Sequence, residues 1–249
     1  MNIVVFDTET VSLEKPFCYN IGYTIKDTET RAELVKRDYV VEQVWHNPML
    51  FITAYYADKR EGYVSAMRSR KTLMDKYGYI CRTMIRDFIA YNVKGAYAYN
   101  SPFDDKVFTF NSDWYKCNNP FDNLPIFDIR GYVHNFLLDS DFFDFCDKNG
   151  YYTDTGNYST TAETVYRYIT NNTDFIEDHT ALSDSEIEAD ILFKCLERGA
   201  ELNKEYPVLR SVKREIEKTL TVIDTSGAPH SFDYHTIRIN KEKTEIKLK

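Results

Sequence analysis

Two acids stand two residues apart in Phe6-Asp7-Thr8-Glu9-Thr10, at the end of the apolar run Ile3-Val4-Val5-Phe6. Read as a strand, the run puts Asp7 and Glu9 on one face, in line with Ile3 and Val5, because successive side chains alternate. Like charges this close repel unless a cation lies between them, and hard divalent ions such as Mg²⁺ favour oxygen ligands of this kind. Taken alone, the pair reads more readily as two solvated acids at a strand end. A further acid, Asp104, closes Asn100-Ser101-Pro102-Phe103-Asp104. Ser101 as N-cap and Pro102 in the first turn suit a helix start, where an acid complements the helix dipole. Capping alone would account for Asp104; Asp105 is the weaker candidate.

The third segment, His179-Thr180-Ala181-Leu182-Ser183-Asp184, leads into a helix. Positions seven and eleven residues apart return to within about 20° around a helix axis. Asp184 therefore shares a side with Ile191 and Cys195, and with Ile187 one turn on. It projects from the face that ought to be buried, where an unpaired carboxylate is costly and requires a metal or a basic partner. The competing reading starts the helix later, with Ser183 and Glu186 as a capping box and Asp184 in solvent. His179 reaches the same place only from the segment ahead of the helix. An ordinary histidine pKa of about 6.5 suits it to deprotonating a metal-polarised water.

Asp-x-Glu on the first strand, Asn-x-x-Phe-Asp after a later strand and His-x-Ala-x-x-Asp entering a helix form an ordered set over about residues 1–197. The set resembles the DEDDh branch of the DnaQ-like 3′→5′ exonucleases. The resemblance implies an α/β, RNase H-like fold, a mixed sheet with its first three strands antiparallel and helices on its flanks. It implies that Asp7, Glu9, Asp104 and Asp184 hold two Mg²⁺ or Mn²⁺ ions and that His179 is the general base. Thr8, Thr10 and Asn100 are then expected to contact the substrate, the 3′ end of a single-stranded DNA or RNA. The products would be nucleoside 5′-monophosphates. A non-catalytic nucleic-acid-binding or polymerase-associated assembly module with the same fold is the alternative; a pure scaffold has no physical need for clustered acids.

The elements that must position these residues follow from periodicity. Residues 2–8 form a strand apolar on both faces. Strands over 18–26 and 35–41, joined by a turn at 27–30, favour an antiparallel meander. Helices are expected over 48–56 and 79–91, a short strand over 96–99, a helix opening at Ser101-Pro102, and a short strand near Ile126. Helices over 129–137, 160–170 and 181–198 follow. Residues 1–199 read as one exonuclease domain, and 200–249 as a C-terminal extension with a basic helix to about Lys218 and a hairpin of 219–224 with 231–239. Residues 59–76 carry six basic and two acidic side chains, suited to tracking a phosphate backbone or equally to a solvated helix face.

The whole chain of 249 residues has 31 basic and 39 acidic side chains, a formal charge of −8. That excludes a protein that coats nucleic acid by bulk positive charge, but not local contacts. The acids concentrate in residues 139–190, 13 against two basic residues. Glycine-rich phosphate loops, Gly-x-Ser-x-Gly and His-Glu-x-x-His are lacking, so P-loop, serine-hydrolase and zincin chemistries lose their usual support. The five cysteines, at 18, 81, 117, 146 and 195, are odd in number and scattered, against a disulfide framework or a zinc finger. A reducing, cytoplasmic location is expected, with the sequons at Asn157 and Asn171 without consequence. No apolar run approaches the ~18 residues of a membrane span, so no membrane partner is expected. Oligomeric state is left open, a homodimer included.

Overall fold

The computed structural model describes residues 1–52, 54, 57–209, 212–213, 219–223 and 229–233. Its centre is β1 (Asn2–Thr10), in which Ile3, Val4, Val5 and Phe6 are fully buried. This strand is apolar on both faces because each face meets a core. Val4 and Phe6 pack with Ile21, Tyr23, Ile80, Met84 and Phe108. Ile3 and Val5 pack with Tyr97, Val133, Ile187 and Ile191. Asp7 continues the second row.

β2 (Cys18–Asp27) and β3 (Glu33–Val41) complete the expected antiparallel meander. β4 (Leu73–Asp75) runs parallel to β3, and β5 (Val93–Ala98) and β6 (Ile126–Asp128) continue in parallel from β1. The sheet order is β4-β3-β2-β1-β5-β6. Two short helices, α1 (Glu42–Trp45) and α2 (Pro48–Phe51), follow β3, and α3 (Arg60–Arg68) precedes β4. α4 (Tyr77–Ala90) and α5 (Ser101–Tyr115) cover one face. α6 (Ile129–Phe136), α7 (Ser140–Asn149), α8 (Ala162–Thr170) and α9 (Ala181–Glu197) supply the other.

Several elements differ from the reading of the sequence. The helix expected over 48–56 stops at Phe51, whose ring turns inward onto Trp45 and Tyr19. Asn100 rather than Ser101 stands at the N-cap of α5, in the left-handed region at φ 65°, a conformation asparagine tolerates. Its side chain makes no cap bond, because its carbonyl oxygen accepts from Arg130. The sequence reading gave α3 only as the helix-face alternative for residues 59–76, and missed α1, β4 and α7. The last is capped by Asp139, which accepts from the Phe142 N–H at 3.0 Å, and closed by Gly150 at φ 72°.

Beyond residue 199 the chain stays against the same core for ten residues. The Tyr97 hydroxyl accepts the Asn203 N–H and donates to its Oδ1, and Tyr206 packs edge-on against Tyr132 and Phe136. β7 (Thr219–Ile223) and β8 (Pro229–Asp233) pair antiparallel, the second starting before the expected 231. Most of the basic helix expected after Pro207 lies outside the described residues, and its described positions, 208, 209, 212 and 213, are not helical. Among the described residues no helix is long and apolar enough to cross a membrane.

Candidate active site

The site is built where α9 lands on the sheet. Gly22 of β2 stands opposite Asp7 of β1. A Cβ on Gly22 would lie 2.0 Å from the Leu182 nitrogen, so only glycine lets the start of α9 lie this close to the strand. Two residues back, the fully buried Asn20 pairs across from Glu9. Its Oδ1 accepts from the Ala181 N–H at 2.8 Å and from the Tyr63 hydroxyl at 2.9 Å. Its Nδ2 donates to Asp38 Oδ1 at 2.7 Å and to the Tyr39 carbonyl at 2.9 Å. The Thr72 hydroxyl closes on the second Asp38 oxygen. A buried amide with its bonds filled fixes the first turn of α9 over the end of β1.

Asp184 therefore meets Asp7 and Glu9, with one carboxylate oxygen from each of the three within 4.8 Å of the others. Asp184 is 6% exposed, and its Oδ1 is buried without a hydrogen bond. The inward-facing reading of the helix holds. The capping box does not form, since the helix starts at Ala181 and Glu186 pairs with Lys36 of β3. Asp104 enters from the first turn of α5, 2% exposed, and its Oδ1 accepts from the Thr8 hydroxyl at 2.6 Å. Thr8 alternates with Asp7 and Glu9, so it faces α5 while they face α9.

His179 sits half-buried at φ 49°, ahead of α9. Its Nδ1 is 3.5 Å from Glu177 Oε2, and Glu177, His179 and Asp184 form a second group of ligand atoms within 4.8 Å. α8 holds this segment in place. The Glu177 N–H donates to Glu163 Oε1 at 3.1 Å. Arg167 donates to that carboxylate at 3.0 Å and to the Phe175 carbonyl at 2.7 Å. Of the other expected substrate contacts, Thr10 closes β1 with its hydroxyl 3.4 Å from the Ser12 carbonyl, and Asn100 is exposed at the head of α5.

Packing acids together without water pushes their pKa values up. Burial, with Glu177 nearby, raises Asp7 to about 7. Burial and the Asp7 charge raise Glu9 to about 9 and Asp184 to about 10, and hold Asp104 well above the usual carboxylate range. Burial and Glu163 lift Glu177 to about 7. Lys59, beside the cluster and bonded to the Asp178 carbonyl, pulls Glu9, Glu177 and Asp184 the other way. Burial first, and then Lys59, lowers His179.

The sequence reading overlooked part of the site. Glu188, 3% exposed, accepts from the Tyr99 N–H at 3.0 Å and is raised by burial and by Asp7. It follows Asp184 by four residues, so the helical spacing that turns Asp184 inward turns Glu188 inward too. Glu177 lies in a segment without periodicity and carries no such signal, whereas Lys59 opens the basic stretch 59–76 that the sequence singles out. The donor set, carboxylate oxygens with one imidazole and an orphaned buried oxygen on Asp184, fits a hard divalent ion.

No protein-family model matches the chain, and no curated protein matches it in sequence. Among solved structures it is similar to the nuclease domain of 3′hExo, a DEDDh family member, bound to rAMP. The TM-score is 0.56 at 13% identity, over 80% of this chain and 92% of that one. It is also similar to E. coli Exonuclease I in complex with a dA16 oligonucleotide, with a TM-score of 0.47 at 12% identity, over 80% of this chain and 41% of that one. The likeness to 3′hExo and the strand order together show the fold. The chain has the RNase H-like fold of the DEDDh exonucleases.

Proposed function

We propose that the chain is a divalent-metal-dependent 3′→5′ exonuclease that releases nucleoside 5′-monophosphates from single-stranded DNA or RNA. The observation that carries this reading is the convergence of Asp7, Glu9 and Asp184 on one strand end, with the Asp7 charge felt by the buried Asp104 and with Asp184 Oδ1 buried and unbonded. The nuclease domain of 3′hExo was solved with rAMP, a nucleotide of the proposed product class. The five free cysteines suit a reducing, cytoplasmic setting.

Asp7, Glu9, Asp104 and Asp184 would hold two Mg²⁺ or Mn²⁺ ions, which when bound polarise the scissile phosphate, activate a water and stabilise the departing 3′ oxygen. The chain's own residues do the rest. The lowered pKa of His179 favours its neutral, proton-accepting form. With Nδ1 3.5 Å from Glu177 Oε2, a proton kept on Nδ1 would leave the Nε2 lone pair to take the proton of the attacking water. The Glu177 carboxylate then balances the imidazolium. Thr8 orients the Asp104 carboxylate, and Glu188 anchors the backbone at Tyr99, just ahead of α5. Thr10, at the end of β1, and Asn100, at the head of α5, are the proposed contacts to the terminal nucleotide, and Lys59 is the proposed cation for the incoming phosphate.

Incubation of 5′-labelled and 3′-labelled DNA and RNA oligonucleotides with Mg²⁺, Mn²⁺ or EDTA tests the reading. The expected result is a ladder shortening from the 3′ end, blocked by EDTA and by Asp7→Ala. Binding without metal-dependent shortening on any substrate would overturn it in favour of the non-catalytic module.

A further inference from the structure

The fold brings together two cysteines that are 36 residues apart in sequence, at positions 81 and 117. Cys81 lies on α4 and is 1% exposed. Cys117 follows α5, which closes with Lys116 in the left-handed region at φ 55° and with the Cys117 N–H bonded to the Ser112 carbonyl at 3.1 Å. That turn drops Cys117 onto α4 at Gly78. A Cβ on Gly78 would lie 3.3 Å from Cys117 Cβ, 3.8 Å from its Sγ and 3.9 Å from an Arg82 guanidinium nitrogen. Cys81 and Arg82 stand one turn along the same helix from Gly78, so thiol, thiol and guanidinium share one face. Of the two thiols on this face, Cys81 is buried and Cys117 is the half-exposed one. Its neighbours Lys116 and Asn118 are exposed, and Asn118 and Arg82 line a surface groove with Ile85, Arg86 and Ile89.

We propose that Cys81 and Cys117 are a peroxide-reactive pair, Cys117 oxidised first and Cys81 resolving it to a disulfide. The inference is independent of the exonuclease reading. Neighbouring Cys81, then Ser112 and Arg82, lower the Cys117 thiol to about 7, whereas burial keeps Cys146 and Cys195 up at about 12. In the first step the Cys117 thiolate attacks one oxygen of hydrogen peroxide. The O–O bond breaks, hydroxide leaves and is protonated to water, and Cys117 becomes a sulfenic acid. In the second, Cys81 attacks the Cys117 sulfur. The S–O bond breaks, and the departing hydroxide takes the Cys81 proton as water. Two thiols lose two hydrogens, and one peroxide becomes two waters.

The test treats the full chain with hydrogen peroxide, alkylates the remaining thiols and maps the peptides by mass. The expected result is a Cys81–Cys117 disulfide, reversed by dithiothreitol, that forms at least ~10-fold faster than oxidation of Cys146 or Cys195. Cys81→Ser should accumulate a dimedone-trapped sulfenic acid on Cys117. Cys117→Ser, and Cys117→Ala as a second variant, should yield neither species. Oxidation of Cys117 no faster than of the buried cysteines overturns the proposal, as does its passage to sulfinic acid while Cys81 stays reduced.

Discussion

The carboxylates at the end of β1 are protonated in the metal-free fold at pH values where an unfolded chain would ionise them. A group whose pKa is higher folded than unfolded stabilises fully below its unfolded value, about 4 for these acids, and loses that contribution as the pH rises through its folded value. For Asp7, Glu9 and Asp184 those folded values are about 7, 9 and 10. In EDTA, the urea midpoint should therefore fall between pH 5 and pH 9. Asp184→Asn should flatten the fall and exceed the wild type at pH 9 by at least about 1.4 kcal/mol, the free energy of a tenfold change in an ionisation equilibrium. Equal wild-type midpoints at pH 5 and pH 9 would contradict this electrostatic picture. Glu177 is tested through the proposed proton transfer instead. Its removal leaves the His179 Nδ1–H without its acceptor, so Glu177→Ala should lower kcat about 10-fold or more with KM little changed. His179→Ala should lower kcat by about 10²–10⁴. Unchanged kcat in either variant removes that residue from the proton transfer. At this scale the sequence speaks unevenly. Asp184 is readable because helical spacing ties it to Ile187, Ile191 and Cys195, all buried. Glu177 is not, because its partners come from α8 through Glu163 and Arg167, which no local pattern links to it.

Two small features of β2 decide where α9 sits. Gly22 gives α9 room against the strand, and Asn20 ties down its first N–H. Gly22→Ala would press a methyl group onto backbone atoms of Ala181 and Leu182, which have no flexible end to give way. Such overpacking costs about 1–3 kcal/mol. A displacement of about 1 Å at Asp184 is enough to lower kcat about 10²-fold. Urea denaturation and turnover check both, with Gly62→Ala as the control. Nothing lies within 4 Å of a Cβ at Gly62, inside α3, so alanine there should stabilise by about 0.5–1 kcal/mol and leave kcat unchanged. If Gly22→Ala behaves like Gly62→Ala, the close approach is not what places Asp184. The meander and the principal helices are readable from alternation and helical spacing, since each carries its own hydrophobic row. β4 is not, because a strand of three partly exposed residues holds no alternation and is defined only by pairing with β3. The positive φ of Asn100 is equally hidden, since its cause is the contact with Asp128 and Arg130.

Over the whole molecule, a net charge of −8 coexists with an acidic block at residues 139–190 and a body that is mildly basic outside it. Charge totals can be read from composition; where a domain ends cannot, because it depends on contacts distant in sequence. Tyr97 with Asn203, Tyr132 with Tyr206 and His134 with the Leu209 N–H keep residues 200–209 on the core. A chain cut after residue 199 should lose several degrees of Tm, whereas one ending at residue 213 should hold its Tm and turnover. Equal Tm for the two would place the stabilising boundary at residue 199. The proposed chemistry depends above all on the acids at the end of β1 forming a divalent-cation site, and Mn²⁺ titration followed by electron paramagnetic resonance reads that site without reference to turnover. The prediction is two ions bound per wild-type chain at millimolar Mn²⁺ and pH 8, displaced by Mg²⁺ and much weakened in Asp7→Ala and Asp184→Asn. A wild-type chain that binds no Mn²⁺, or binds it equally well without Asp7 and Asp184, would contradict it.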